Sequence, residues 1–118
     1  MERREDLQER LLLFAARIVK LVADLRKTPA GRHIADQLLR SGTSVGANYE
    51  EAQGAESRAD FVHKLQIALK EMRESHYWLR LLGASGTVPE SKLTAIIDEA
   101  TQLRAILSKA VATAKAHR

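Results

Sequence analysis

Nine consecutive residues constrain this chain more than any others: Arg40-Ser41-Gly42-Thr43-Ser44-Val45-Gly46-Ala47-Asn48. From Ser41 to Gly46 there is no strong helix former, and each glycine costs about 1 kcal/mol relative to alanine inside a helix. Yet Ile34, Leu38, Ser41, Val45, Asn48, Ala52 and Ala55 recur through the stretch in alternating steps of four and three. A loop would lose that phase. The stretch therefore reads as continuous helix made thin, so that another backbone can approach closely.

Three further segments keep the same period. Leu7, Leu11, Phe14, Ile18, Leu21 and Leu25 define a first helix over about 6–26. Thr28-Pro29 ends it, because proline lacks the amide hydrogen and suits the first position of the next helix, at 29–56. Ser57-Arg58-Ala59-Asp60 resembles a capping box. It opens a third helix over 58–83, with Phe61, Leu65, Ala68, Met72, Ser75, Leu79 and Leu82 on one seam. Thr87-Val88-Pro89-Glu90 reads as the start of the last helix, 89–115, which presents Leu93, Ile96, Ala100, Leu103, Leu107, Ala110 and Ala114. A shared period near 3.5 favours a shallow left-handed crossing, and short connections set neighbours antiparallel. The expected fold is all-α, an up-down-up-down four-helix bundle spanning 1–118 as a single domain.

Composition agrees. Aromatics are 4% of the chain and prolines number two, as suits helix. The absence of cysteine excludes disulfides and thiolate metal sites. A charged N-terminus, with no apolar run long enough to span a bilayer, predicts a cytoplasmic protein without membrane contact. Net charge is +4, carried by the first, third and fourth helical segments around an acidic second one. That balance permits nucleic-acid binding and equally fits a solvated surface.

The third helix holds more apolar surface than one seam needs. Ile67, Trp78 and Leu81 lie to one side, with Glu71 and Glu74 between them. They read either as a wide core face with Trp78 at its margin or as a subunit interface. The interface reading is preferred, because small bundles seldom expose so broad an apolar strip. Ala35, Gly42, Gly46 and Tyr49 form a narrow flank on the second helix that suits close packing. Ser41 and Asn48 fall on the core seam and need partners there, from Glu71, Glu74 or a backbone carbonyl.

Enzymatic motifs are missing. Gly42-Thr-Ser-Val-Gly46 lacks the Gly-Lys-Ser/Thr ending of a phosphate loop. A carboxylate-bridged metal pair needs two Glu-x-x-His motifs, whereas one Asp60-x-x-His63 and one Glu71-x-x-Glu74 are present. The reading is non-enzymatic, with no catalytic residue, metal or cofactor. Lys70, Arg73, Tyr77 and Arg80 share one outward line on the third helix, and Arg10, Arg17, Lys20 and Lys27 lie along the first. Tyrosine among cations suits stacking on an unpaired base while the cations meet phosphates.

Leu39-Arg-Ser-Gly-Thr-Ser-Val-Gly-Ala-Asn-Tyr-Glu-Glu-Ala52 resembles the signature of bacterial four-helix bundle proteins often encoded in intervening sequences of large-subunit ribosomal RNA genes. Arg40, Ser41, Gly42, Ser44, Gly46, Asn48 and Glu51 carry it. It continues through Ser57, Asp60-Phe61, Lys64-Leu65, Ile67-Ala68, Lys70-Glu71, Glu74 and Tyr77-Trp78-Leu79. Val45 and Gly46 stand where many relatives have Ile and Pro. The resemblance implies a ring-like homopentamer without an assigned reaction. A group of similar fold, the accessory variability determinants of diversity-generating retroelements, binds nucleic acid and a reverse transcriptase. It implies, by analogy of fold, a partner such as a nucleic-acid enzyme. The expected function is therefore an oligomeric accessory or scaffold factor contacting RNA or DNA through basic outer faces. The rival readings are a purely protein-directed scaffold and, third, a carboxylate-bridged metal protein.

Overall fold

The glycine-and-serine stretch is helical throughout, inside a helix that runs unbroken from Pro29 to Gln53. A computed structural model describes residues 3–117; positions 1, 2 and 118 of the expected domain lie outside them. Four α-helices follow one another: α1 (Arg4–Ala23), α2 (Pro29–Gln53), α3 (Arg58–Ala84) and α4 (Thr94–Ala116), with a short 3-10 turn at Glu90–Lys92 before the last. No strand occurs among the described residues. The result is an all-α helical bundle measuring 45 × 24 × 20 Å.

Local chemistry sets the helix ends. The Thr28 hydroxyl accepts from the Gly31 amide at 3.0 Å, with Pro29 at the first helical position. Gly31 is obligatory there, since a Cβ would stand 2.0 Å from the Leu25 carbonyl oxygen. The Ser57 hydroxyl likewise accepts from the Asp60 amide. Asp60 reaches past Ser57 to the Glu56 amide, so this end resembles a capping box without its reciprocal bond.

The α3–α4 connection departs from the expected helix start at 89. Gly86, at φ 73°, reverses the chain. The Val88 side chain then drops into the core while its amide donates to the Leu82 carbonyl at 3.2 Å. That tether postpones α4 to Thr94, and no side chain caps it.

The four periodic seams meet in one core. Leu11, Phe14, Ile18, Leu38, Leu65, Met72, Leu79, Leu82, Leu93, Leu103 and Leu107 are all but inaccessible to solvent. Each large apolar side chain so placed contributes roughly 1.5–3 kcal/mol of transfer free energy. Val22, Val62 and Val111 join them from positions outside the strict four-three pattern. A helix facing two neighbours buries a wider stripe than a two-helix seam, which accounts for the additions. No helix of the described chain is long and apolar enough to cross a membrane.

Candidate functional site

The thin stretch of α2 faces α1. A Cβ at Gly42 would meet Ile18 Cγ1 at 2.9 Å, and one at Gly46 would touch Leu11 Cβ at 3.5 Å. The close approach anticipated for this flank is thus made inside the protomer. On the opposite side, α2 joins α3 through polar groups. In the core, the Ser75 hydroxyl lies in donating reach of Ser41 Oγ, at 2.9 Å, and of the Glu71 carbonyl, at 2.8 Å. Asn48 turns back on its own helix, donating to the carbonyl and the hydroxyl of Ser44. The Leu38 carbonyl accepts from Ser41 at 3.4 Å. Both seam residues therefore find backbone carbonyls, and Glu71 and Glu74 are left for another partner.

That partner is Arg40. Its guanidinium donates to Glu71 at 3.0 Å and also to Glu74, bridging two turns of α3. Trp78 Nε1 donates to the same Glu74 carboxylate at 3.0 Å. Burial by itself would raise the Glu74 carboxyl, but the hydrogen bonds from Trp78 and Arg40 outweigh it and hold the group below the usual carboxylate range. Lower on the same seam, Lys64 pairs with Glu51 at 2.8 Å. Trp78 also meets the His33 and Tyr77 rings edge-on, at 5.9 and 5.2 Å.

This arrangement gives several of the expected interface residues partners within the chain. Glu71 and Glu74 are neutralised by α2 of the same chain. Trp78 and Leu81 are half-buried and pack against the core. Ile67 is half-buried too. The apolar side chains that do face solvent are elsewhere: Leu12, Leu13 and Val19 of α1 are 62%, 53% and 50% exposed. A helical wheel read by itself missed them, because three charged neighbours, Glu9, Arg17 and Lys20, disguise that face as an ordinary surface.

The basic residues divide as well. Arg10 does not stand on an open face: its Nε and Nη2 grip Glu99 of α4 at 3.0 and 2.7 Å, and Nη2 also reaches Gln102. Those bonds hold the Glu99 carboxyl below its ordinary range, against the opposing effect of burial. Arg10 is thereby a clamp between α1 and α4. Arg17, Lys20 and Lys27 are exposed and make no ion pair among the described residues.

On α3, Lys70, Arg73, Tyr77 and Arg80 all face solvent along the side next to α4. Lys70 and Arg73 line one α3–α4 groove of about 250 Å³ together with Gln66 and Lys115. Tyr77 and Arg80 line a larger one, about 780 Å³, that also takes in His76, Leu81, Leu93, Ile97, Asp98 and Thr101. Lys115 and Arg104 escaped a reading by single helix faces, because α4 had to be docked before they could come beside α3. Among the described residues no three His, Asp or Glu side chains converge as metal ligands.

These features define a helical bundle whose α2–α3 polar seam is matched within the chain and whose unpaired cations lie on exposed lines of α1 and α3. A family model described as 23S rRNA-intervening sequence protein matches residues 6–109. The chain belongs to that family. It is 39% identical to a crystallised protein of unknown function from the S23 ribosomal protein family of Bacteroides thetaiotaomicron. The alignment covers 92% of this chain and 96% of that one, with a TM-score of 0.84. Among proteins of curated function, none matches.

Proposed function

We propose that this protein is a non-enzymatic accessory factor that binds RNA or DNA along the α3–α4 face. One observation carries the reading. Arg10, Arg26, Arg40 and Lys64 are each paired with a carboxylate. Lys70, Arg73 and Arg80 make no ion pair among the described residues, although all three sit on one line beside an exposed tyrosine. Unpaired cations in a row suit a phosphate backbone, and Tyr77 suits a base face.

The working form in this proposal is an antiparallel, up-down-up-down bundle with left-handed crossing, assembled as a ring-like homopentamer in the cytoplasm. Support for the antiparallel order comes from the contacts: Arg26 meets Asp36 while Gln8 meets Glu50, and His33 meets Trp78 while Glu51 meets Lys64. Repetition around a ring multiplies a weak basic patch. A second reading, a protein-directed scaffold, is favoured by the exposed apolar side chains of α1, which suit a sister subunit or a partner such as a nucleic-acid enzyme.

The test is retardation of labelled single-stranded RNA and DNA at physiological salt, repeated over a salt series. A nucleic-acid binder gives a linear fall of log affinity with log salt. Unretarded probes at all salts would leave the scaffold reading. For assembly, Leu12→Glu and Trp78→Ala are compared in sedimentation velocity. The α1 surface predicts dissociation by the first and an intact oligomer with the second.

A further inference from the structure

The larger α3–α4 groove contains an arrangement that charge counting along one helix does not reveal. His76 of α3 is held at both ring nitrogens by α4. Its Nε2 lies 3.3 Å from the Thr101 hydroxyl, and its Nδ1 lies 3.2 Å from Arg104 Nη1. Thr101 commits its own proton to the Ile97 carbonyl at 2.9 Å. Thr101 is therefore the acceptor from Nε2, and Nδ1 must accept from Arg104. This bonding requires a neutral imidazole with its proton on Nε2.

Burial, then the positive charges of Arg104 and Arg80, lower the His76 pKa. The imidazole thus orients Arg104 without cancelling its charge. Arg104 is half-buried, and neither it nor Arg80 has a carboxylate partner among the described residues. Two uncompensated guanidinium groups flank one histidine, which favours an anion between them. Tyr77, 57% exposed, stands on the same wall. Leu81 and Ile97 make the groove partly apolar, as a flat heterocycle requires. The acidic lining is Glu90, toward Gly83 and Leu93, and Asp98, which accepts from Gln102 at 2.9 Å.

We infer that this groove is a nucleoside-phosphate site, in which Arg80 on its lining and Arg104, bonded to the lining His76 from just outside it, hold the phosphate, Tyr77 stacks the attached base and His76 positions Arg104. Glu90 and Asp98 then serve as acceptors for sugar hydroxyls or base amino groups, since a carboxylate repels phosphate. The volume, about 780 Å³, lies within the usual range for small-ligand sites. The nucleotide is either one residue of a strand, in which case the site rests on the proposed nucleic-acid function, or a free mononucleotide.

Trp78 is the only tryptophan and its ring is 5.2 Å from Tyr77, so its emission reports occupancy. The full chain is titrated with adenosine monophosphate and with a single-stranded RNA hexamer, while the His76 ring is followed by NMR. Occupancy should quench Trp78 and raise the His76 pKa, because bound phosphate offsets both arginines. Tyr77→Ala, Arg104→Gln and the exposed Arg80→Gln should each weaken binding about ten-fold, whereas Tyr77→Phe should retain it. A purely structural His76 would keep its titration unchanged by ligand. Loss of hexamer binding in the Lys70→Glu, Arg73→Glu double variant, with wild-type binding by Tyr77→Ala and Arg104→Gln, would overturn the groove and leave the nucleic-acid function standing. Mononucleotide binding that depends on Tyr77 and Arg104, with no hexamer bound, would keep the groove and remove that function. If neither probe moves Trp78 or His76, the inference is wrong.

Discussion

The two flanks of α3 carry similar numbers of charged and aromatic groups and treat them in opposite ways. Toward α2, Glu71 and Glu74 are bridged by Arg40 and capped by Trp78. Toward α4, Lys70, Arg73 and Arg80 have no carboxylate partner among the described residues, and Tyr77 is open to solvent. A polar seam with every group matched inside the protomer holds helices in register. Cations left unmatched on the other flank add nothing to that register, so their charge is available for a ligand. That contrast separates matched polar residues from unmatched ones more sharply than residue type does.

The largest effect should come from breaking the matched flank. Arg40→Ala leaves Glu71, only 8% exposed, without its cation. The expected loss is about 2 kcal/mol in urea unfolding, below the figure for fully buried pairs because Arg40 itself is half exposed. Binding of nucleic acid should survive. If stability is unchanged, the network is ornamental and the comparison collapses.

Next comes the unmatched flank. Lys70→Glu with Arg73→Glu should weaken RNA binding about ten-fold and lower the salt slope by about two. Melting should stay within about 0.5 kcal/mol of the parent, as for exposed substitutions. A large drop in stability would mean these cations are structural after all.

Acid should then act on the two flanks at different pH. His76 has a lowered folded pKa, so the unfolded chain takes the proton first; its contribution is complete above the ordinary histidine value, about 6.5, and is lost below it. Glu74 also has a lowered folded pKa, so its contribution is complete above the ordinary carboxylate value, 4.5, and is lost as pH falls through the lower folded value. Stability measured against pH should therefore show two limbs, the upper removed by His76→Gln and the lower reduced by Arg40→Ala. A single limb that ignores both variants contradicts the assignment.

The smallest effect sharpens the matched side. Ser75→Ala removes the donor to Ser41 Oγ, leaving it only the long bond to the Leu38 carbonyl, and should cost about 1 kcal/mol, whereas Ser41→Ala with Ser75→Ala should be nearly neutral, since no under-bonded hydroxyl remains. Equal losses in both proteins would show that packing, not hydrogen bonding, sets the cost.

Much of the scaffold could be read in advance. The four-three spacing located all four helices and most of the core, including the passage through Ser41–Gly46, because buried faces repeat with the helix whatever the local propensity. Caps at Thr28 and Ser57 were visible for the same reason, being local chemistry within three residues. The start of α4 was misplaced, because Val88 is drawn into a core that only the packed helices create. The site was half visible. Lys70, Arg73, Tyr77 and Arg80 follow from one helix, but Lys115 and Arg104 arrive from another. Arg10 looked open until Glu99, 89 residues away, was brought to it.

The sequence by itself determined periodicity, caps and the thinness of α2, all set by neighbours within a few residues along one helix. Tertiary structure alone decided which polar groups are matched. Charge compensation depends on which helices become adjacent, and Arg10–Glu99, Arg40–Glu74 and His76–Arg104 each join residues far apart in the chain. Whether a cation is a clamp or a ligand contact is settled only by what docking places within a few ångströms of it.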